Sequence, residues 1–497
     1  MKGVPIRILL VYPEFLYTFW SFKHALKFIK KKAAAPPLGL LTVAAMLPSV
    51  WEKRLVDLNV TSLTDEDLKW ADYVFVSAMV VQRESAHLVI RRCKCAGVKV
   101  VAGGPLFTME HEQFPDVDYF VLNEAEATLV PFLRDLEQGQ AGRVYASTEF
   151  PDIHQTPVPL WRLANLKQYD TVSIQFSRGC PFNCDFCNVT ALLGYRPRTK
   201  IAAQIIAELD SLYALGWRKS ILFVDDNFID NKKHIKSKVL PALIEWRKGK
   251  TGLAFNTEVS SNLADDPVLL RLMVESGFDT VFVGNETPNE ESLAECGKNQ
   301  NKGRNLVESV KQLQHPGLQV QGGFIVVFDN DPPSVFQQQI DFIQKSGIVT
   351  AMVGLLQAPL GTHLYERMQQ EGRLVNEFSG DNVNGSTNII PKMGLDQLRE
   401  GYRKILSQIY APKFYYERVL TFLREYKPPK IRVHLEPQYI LALGRSIYQL
   451  GIRGVERVQY WRLFFWTLFR RPRLFSLAIT LAILGFHFRQ AIELHVN

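Results

Sequence analysis

Short β-branched runs alternate with helix-length stretches twice along the 497-residue chain, and this alternation restricts the fold more than any other feature. In the first 140 residues the strand candidates are 6–12, 53–59, 73–79, 99–102 and 119–122, with helices expected over 38–47, 84–96, 107–114 and 125–138. Such alternation predicts an α/β fold with a doubly wound parallel sheet, whose ligands bind beyond the carboxyl ends of the strands. Ser77 and Met79, Gly103-Gly104-Pro105 and Asn123-Glu124-Ala125-Glu126 fall at those ends. No G-x-G-x-x-G follows the first strand, so a dinucleotide site has no support. Asp152-Ile153-His154 starts like a cobalt-ligating D-x-H-x-x-G, but Pro157 stands at the glycine position, and His154 reads as a loop histidine.

The second alternation follows a cysteine loop. Cys180, Cys184 and Cys187 stand in a C-x3-C-x2-C spacing after the strand-like TVSIQF, with Gly179 and Pro181 favouring irregular backbone. Three thiolates on one tight loop can hold three irons of a 4Fe–4S cubane and leave the fourth iron open. Zinc, the other candidate, wants four closed ligands. The nearest downstream cysteine, Cys296, is remote in sequence, and no histidine lies between residues 188 and 233. Cys93 and Cys95 lie on one expected helix and read as structural. Further strands are expected at 221–224, 253–257, 280–283, 320–326 and 350–355, with helices at 201–215, 267–276, 305–314 and 335–345. With TVSIQF that makes six β/α units. Asp225-Asp226-Asn227, Glu258 and Gly284-Asn285-Glu286-Thr287-Pro288 fall at strand carboxyl ends, where β/α barrels place their active sites.

The cysteine loop, with Phe186 before its last cysteine, resembles that of the radical S-adenosylmethionine enzymes. The resemblance implies a partial (β/α)6 barrel. It also implies S-adenosylmethionine chelated to the open iron and cleaved, after one-electron reduction, to a hydrogen-abstracting adenosyl radical. It casts Glu258 and Glu286 as contacts for the ribose and amino end, Gly323 of Gly322-Gly323-Phe324-Ile325 as the adenine side, and Phe186 and Asp226 as further cofactor contacts. Asn285 stands where related sequences have an apolar residue, and Asp226-Asn227 where they have G-G-E. An open α/β domain ahead of such a barrel resembles the cobalamin-binding class of the superfamily. This resemblance covers roughly residues 5–360. It casts Gly39 of Pro36-Pro37-Leu38-Gly39-Leu40, Ser77, Gly103, Gly104 and Asn123 as cobalamin contacts, with no histidine on the cobalt.

Beyond residue 362 these motifs stop. Residues 373–395 are rich in Asn, Gly and Ser and read as a linker or loop, and helices are expected at 395–410 and 413–426. From Pro412 to Asn497 there are 3 Lys and 11 Arg against 5 Glu, a net +9 that exceeds the whole chain's +8. The basic charge is therefore confined to the tail. There, Trp461, Phe464, Phe465, Trp466 and Phe469 lie beside Arg462, Arg470, Arg471 and Arg473, ahead of the longest apolar run, 474–488, which Gly485 and His487 interrupt. A clear membrane span needs about 20 apolar residues. The segment from about Tyr460 to Phe488 instead suits an interfacial membrane helix, the other reading being a buried helical hairpin. Nucleic acid is disfavoured because the basic residues are interleaved with bulky aliphatics. The N-terminal segment lacks the features of a signal peptide, so a cytoplasmic protein with free or metal-bound thiols is expected.

These readings divide the chain into a cobalamin-binding-like domain over 1–150, a radical barrel over 165–362 and a helical extension over 363–497. They imply a 4Fe–4S cluster, S-adenosylmethionine and cobalamin as cofactors, and an electron-donor protein as partner. The overall pattern resembles the cobalamin-dependent radical methylases with a C-terminal extension, a group that includes the hopanoid C-2 methylase. The implied reaction is methyl transfer to an unactivated carbon of a small molecule or membrane lipid. A radical rearrangement or cyclisation without methyl transfer, and a non-catalytic iron–sulfur redox sensor, are the alternatives.

Overall fold

The structure, a computed structural model, describes residues 6–381, 383–429 and 437–496. Part of the N-terminal segment in which no signal peptide is read, residues 1–5, lies outside them. The chain divides into two compact units. One comprises residues up to Leu16, Lys32–Gly179 and Val189–Trp217; the other comprises Tyr17–Lys31, Cys180–Asn188 and the chain from Arg218 onward.

In the first unit six parallel strands lie in the order Glu52–Asp57, Arg7–Tyr12, Tyr73–Ser77, Lys99–Gly103, Tyr119–Val121 and Val144–Tyr145. The first five are the expected strands; the sixth, two residues long, leaves no pattern to read. Ile8 to Val11 are wholly buried, as a parallel strand covered on both faces requires. Leu40 and Ala44 of the helix Leu38–Met46, and Leu129 and Phe132 of Ala125–Glu137, pack with Ile8, Leu10, Phe75 and Val101 in one cluster. The helix expected at 107–114 is Pro105–Glu110 followed by a 3-10 turn, since proline suits a first helical turn. The helix Asp65–Trp70, opened by a Thr64–Asp67 capping box, is too short to show a period in sequence.

All six strands expected in the second alternation form, beginning with Val172–Ile174. In the second unit Ile221–Phe223, Phe255–Val259, Phe278–Glu286, Gln319–Val326 and Ala351–Leu355 pair in parallel, each with the next in chain order. Helices Pro267–Ser276, Leu306–Gln314 and Val335–Ser346 connect the later strands, as the spacing predicts. The Asn/Gly-rich stretch after residue 373 is a tied-down loop rather than a free linker. Asn388 is buried, accepts from the Ala358 amide at 2.8 Å and donates to the Ala358 carbonyl at 2.8 Å.

The C-terminal helices change the reading of the tail. Gly485 and His487 do not interrupt the last helix, Phe475–Val496. Gly485 faces the Tyr415 ring so closely that a Cβ would lie 2.2 Å from it, and His487 Nε2 is 2.9 Å from the Phe19 carbonyl. Phe488 stacks on Phe19 at 4.2 Å. The window Pro472–Glu493 is long and apolar enough to cross a membrane by length and composition, yet half of it is buried inside the protein. Half of this window therefore packs as core, and half stays accessible. The exposed apolar side chains come earlier: Ile440, Tyr448, Ile452, Val455, Val458, Phe465 and Phe469.

Candidate active site

In the first unit the expected ligand-binding residues gather at the carboxyl edge of the sheet. Ser77 and Gly103, the last residues of neighbouring strands, are paired. A Cβ on Gly103 would lie 2.6 Å from the Val121 carbonyl, and one on Gly104, whose φ is +90°, 2.5 Å from Ser77 Oγ. Asn123 also has positive φ, +59°, and its amide donates to Thr108 Oγ1 at 2.9 Å. Gly39 has open space where a Cβ would be, at the start of its helix. Gly103 and Gly104 admit no side chain and Gly39 leaves open space, an edge that fits the approach of a large flat ring such as a corrin. Glu124 and Glu126 do not share this role. Arg178 meets them at 2.6 and 2.9 Å, and Arg198 meets Glu124 at 2.6 Å. His154 is an exposed loop residue held 2.8 Å from Asp152, as its sequence suggests.

In the second unit Cys180, Cys184 and Cys187 are half-buried thiols, none in a disulfide. The Cys187 amide donates to the Cys184 carbonyl at 3.0 Å, closing the turn between them. Burial, then repulsion from Asp230 and the neighbouring cysteines, pushes the Cys180 thiol up to about 12. Among the described residues no three His, Cys, Asp or Glu side chains converge as ligands of one ion. A cubane asks something different, one thiolate for each of three separate irons, and three cysteines on one loop fit it. Phe186 packs against an apolar cluster with Phe328, ring centroids 6.1 Å apart, and Leu364.

Carboxylates line the same unit's strand ends. Burial raises Asp226 to about 6 and Asp230 to about 7, with Asp225 adding repulsion at Asp230. Glu258 has an accessible side chain on a strand that is otherwise mostly buried, and protein surrounds it, as for a group lining a concavity. Desolvation, then repulsion from Asp226, raises it to about 8. Glu286 is held at φ +61° by a register shift at the end of its strand. Gln339 braces that end, donating to the Ile325 carbonyl at 2.8 Å and the Glu286 carbonyl at 3.3 Å. Asn285, the departure from the apolar pattern, is buried and donates to the Val283 carbonyl at 3.1 Å. Gly323 leaves room for the Phe282 ring, which a Cβ would meet at 2.7 Å.

Two groups escape sequence reasoning. Lys298 Nζ lies 2.6 Å from Glu286 Oε1, so Glu286 is ion-paired rather than bare. Cys296, remote in sequence, is folded onto the cysteine loop. Its carbonyl accepts from the Asp185 amide at 3.0 Å, while its thiol points to the Leu293 carbonyl at 3.7 Å. Cys95 is exposed, so of the helical pair only Cys93 is part of the core.

Known proteins share this arrangement. A B12 binding domain model matches residues 29–133, a radical SAM superfamily model residues 174–343, and a domain of unknown function, DUF4070, residues 362–497. An uncharacterized methyltransferase of Synechocystis is 38% identical over 98% of this chain and 92% of its own. The hopanoid C-2 methylase of Rhodopseudomonas palustris is 34% identical over 92% of this chain and 88% of its own. The radical S-adenosylmethionine methyltransferase TsrM from Kitasatospora setae, solved with cobalamin and a 4Fe–4S cluster, shares the fold. Its TM-score is 0.60 at 16% identity, over 74% of this chain and 78% of its own. The cobalamin-dependent radical enzyme OxsB does so too, with a TM-score of 0.60 at 13% identity, over 99% of this chain and 80% of its own. A glycine-lined sheet edge, a three-cysteine loop beside a carboxylate-lined parallel sheet and these matches lead to one conclusion: the chain belongs to the cobalamin-dependent radical S-adenosylmethionine methyltransferases, enzymes whose cofactors are a 4Fe–4S cluster, S-adenosylmethionine and cobalamin.

Proposed function

We propose that this enzyme methylates an unactivated carbon of a polycyclic membrane lipid of the hopanoid kind, working from the cytoplasmic face of a membrane. The observation that carries the lipid reading is the exposed surface of residues 440–469. Ile440 and Tyr448 and, after them, Val458, Phe465 and Phe469 expose 49–76% of their area at helical spacing. Arg453, Arg457, Arg462, Arg470 and Arg473, interleaved with them in sequence or just after, are exposed too. Between residues 437 and 473 the one acidic residue, Glu456, is buried and paired with Arg489 at 2.8 Å. An apolar stripe edged by arginine and free of exposed carboxylate suits an anionic leaflet. It would repel a second copy of itself. The end-to-end likeness to the Rhodopseudomonas hopanoid methylase supports the same substrate class.

In this reading the three domains are 1–150, 165–362 and 363–497. Cys180, Cys184 and Cys187 hold the cluster. Phe186, Asp226, Glu258, Glu286 and Gly323 line the S-adenosylmethionine side; Gly39, Ser77, Gly103, Gly104 and Asn123 line the cobalamin side. When bound, the cofactors supply the radical and the methyl group, and the protein supplies binding and orientation. Glu258, protonated at neutral pH, can donate a hydrogen bond as well as accept one. The ionised Glu286–Lys298 pair keeps a fixed carboxylate at the strand end.

The test is anaerobic turnover of the holoenzyme with methyl-deuterated S-adenosylmethionine, a low-potential reductant and a bacterial lipid extract. Label in a polycyclic lipid is the expected result. Cofactor cleavage with no label in any lipid would overturn the substrate and leave the family standing.

A further inference from the structure

The segment 296–301 carries no recognised motif, yet it touches both halves of the proposed cluster site. Its first carbonyl, on Cys296, accepts from the Asp185 amide at 3.0 Å. Gly297 has φ +71°, and a Cβ there would lie 2.5 Å from the Asn183 carbonyl, so this backbone rests directly on the cysteine loop. Asn301 is fully buried and donates to the carbonyls of Gly284 at 3.0 Å and Asn285 at 3.1 Å. Ser261 Oγ donates to Asn301 Oδ1 at 2.7 Å and fixes it from the neighbouring strand end. The turn is thus tied at one end to the cysteines and at the other to the Glu286 strand. Lys298 stands between, its side chain 14% exposed, against Glu286 at 2.6 Å. Its charge acts on the thiols of Cys184 and Cys187.

We propose that Lys298 is a positioning residue that sets the reduction potential of the cluster, its ammonium held beside the cysteine loop by Glu286 and by the tied turn. The inference rests on the assignment of Cys180, Cys184 and Cys187 as cluster ligands. Reduction adds one electron to the cluster, and a fixed positive charge near the sulfurs favours the more negative state. Glu286 opposes part of that effect while holding the lysine in place. The two residues therefore make a matched pair whose members act with opposite sign. That is a stricter signature than loss of function, because general damage to the site would not give opposite shifts.

The test uses full-length protein reconstituted anaerobically, with iron content measured first and S-adenosylmethionine left out. The cluster is titrated with dithionite and mediators and followed by spin resonance. Lys298→Gln is expected to lower the ratio of reduced to oxidised cluster at fixed potential about tenfold, a shift of about 59 mV for a one-electron couple. Glu286→Gln is expected to raise it, and Lys298→Arg to stay close to wild type. Equal potentials in wild type and Lys298→Gln, or shifts of the same sign in both neutral variants, would overturn the proposal. If Lys298→Gln fails to retain iron, Glu286→Gln decides alone, and no rise in its potential overturns it. Absence of iron from the wild-type protein would instead refute the cysteine assignment.

Discussion

At the scale of single residues, the site depends on groups that ordinary chemistry would not leave together. Three thiols share one loop, and Cys180 and Cys184, pushed toward the neutral form by burial, gain their stable anionic form only when metal takes the protons' place. Replacing Cys180, Cys184 and Cys187 together with alanine should abolish bound iron and the brown colour of the anaerobic protein. Cys296→Ala should retain the iron, because that thiol faces the Leu293 carbonyl. Iron analysis of the variants separates these outcomes. Glu258 gives a pH signature. Its folded value, about 8, lies above the ordinary carboxylate value, so its contribution to stability is complete at low pH and is lost as pH rises from about 5 through 8. Glu258→Gln should flatten that decline. Because the side chain is partly accessible, the gain at pH 8 is set at about 1 kcal/mol, or about 1 °C in Tm for a chain of this length. Thermal unfolding between pH 5 and 8, without S-adenosylmethionine, checks it.

At the scale of elements, strand ends carry the chemistry and glycines shape them. Gly104 combines φ +90° with Ser77 Oγ at 2.5 Å from any Cβ. Gly104→Ala should cost about 1–3 kcal/mol in backbone strain and displace Ser77. Denaturant unfolding should register the loss, and cobalamin binding followed by absorbance should weaken in parallel. Full cobalamin affinity in a destabilised Gly104→Ala would separate this edge from the cofactor. Spin resonance of the cob(II)alamin form should show no imidazole nitrogen coupling, since the sequence has no D-x-H-x-x-G and His154 sits on an exposed loop against Asp152. The strand Phe278–Glu286 shows the same logic in the barrel. Its shifted last residues turn Glu286 to Lys298, a bulge-like device that re-aims a side chain where regular pairing ends.

At the scale of the whole molecule, the C-terminal helices divide two roles that the sequence runs together. Phe475–Val496 supplies core, through Gly485 against Tyr415 and Phe488 on Phe19. Deleting it should leave an aggregating protein. The preceding helices supply the exposed face. Phe465→Ser with Phe469→Ser should leave a folded enzyme that no longer sediments with anionic liposomes. Neutralising Arg462, Arg470 and Arg473 should weaken binding by about 1 kcal/mol each at low salt. Added salt should weaken wild-type binding, because exposed charges are screened beyond about 10 Å at 0.1 M. Equal sedimentation of wild type and the double phenylalanine variant would remove the face from membrane contact.

The sequence by itself determined the two parallel sheets, because buried parallel strands must read as apolar β-branched runs and the helices between them keep their own period. It determined the cysteine loop, because the three thiols lie within eight residues of one another. Tertiary structure decided what depends on distant segments meeting. Lys298 reaches Glu286 across 12 positions, and Cys296 meets Asp185 across more than a hundred, so neither pairing leaves a local spacing to read. The tail leaves two readings open in the sequence for the same reason. A helix that is apolar enough for a membrane and one that is apolar because Tyr415 and Phe19 cover it have the same composition, and only the packed neighbours tell them apart.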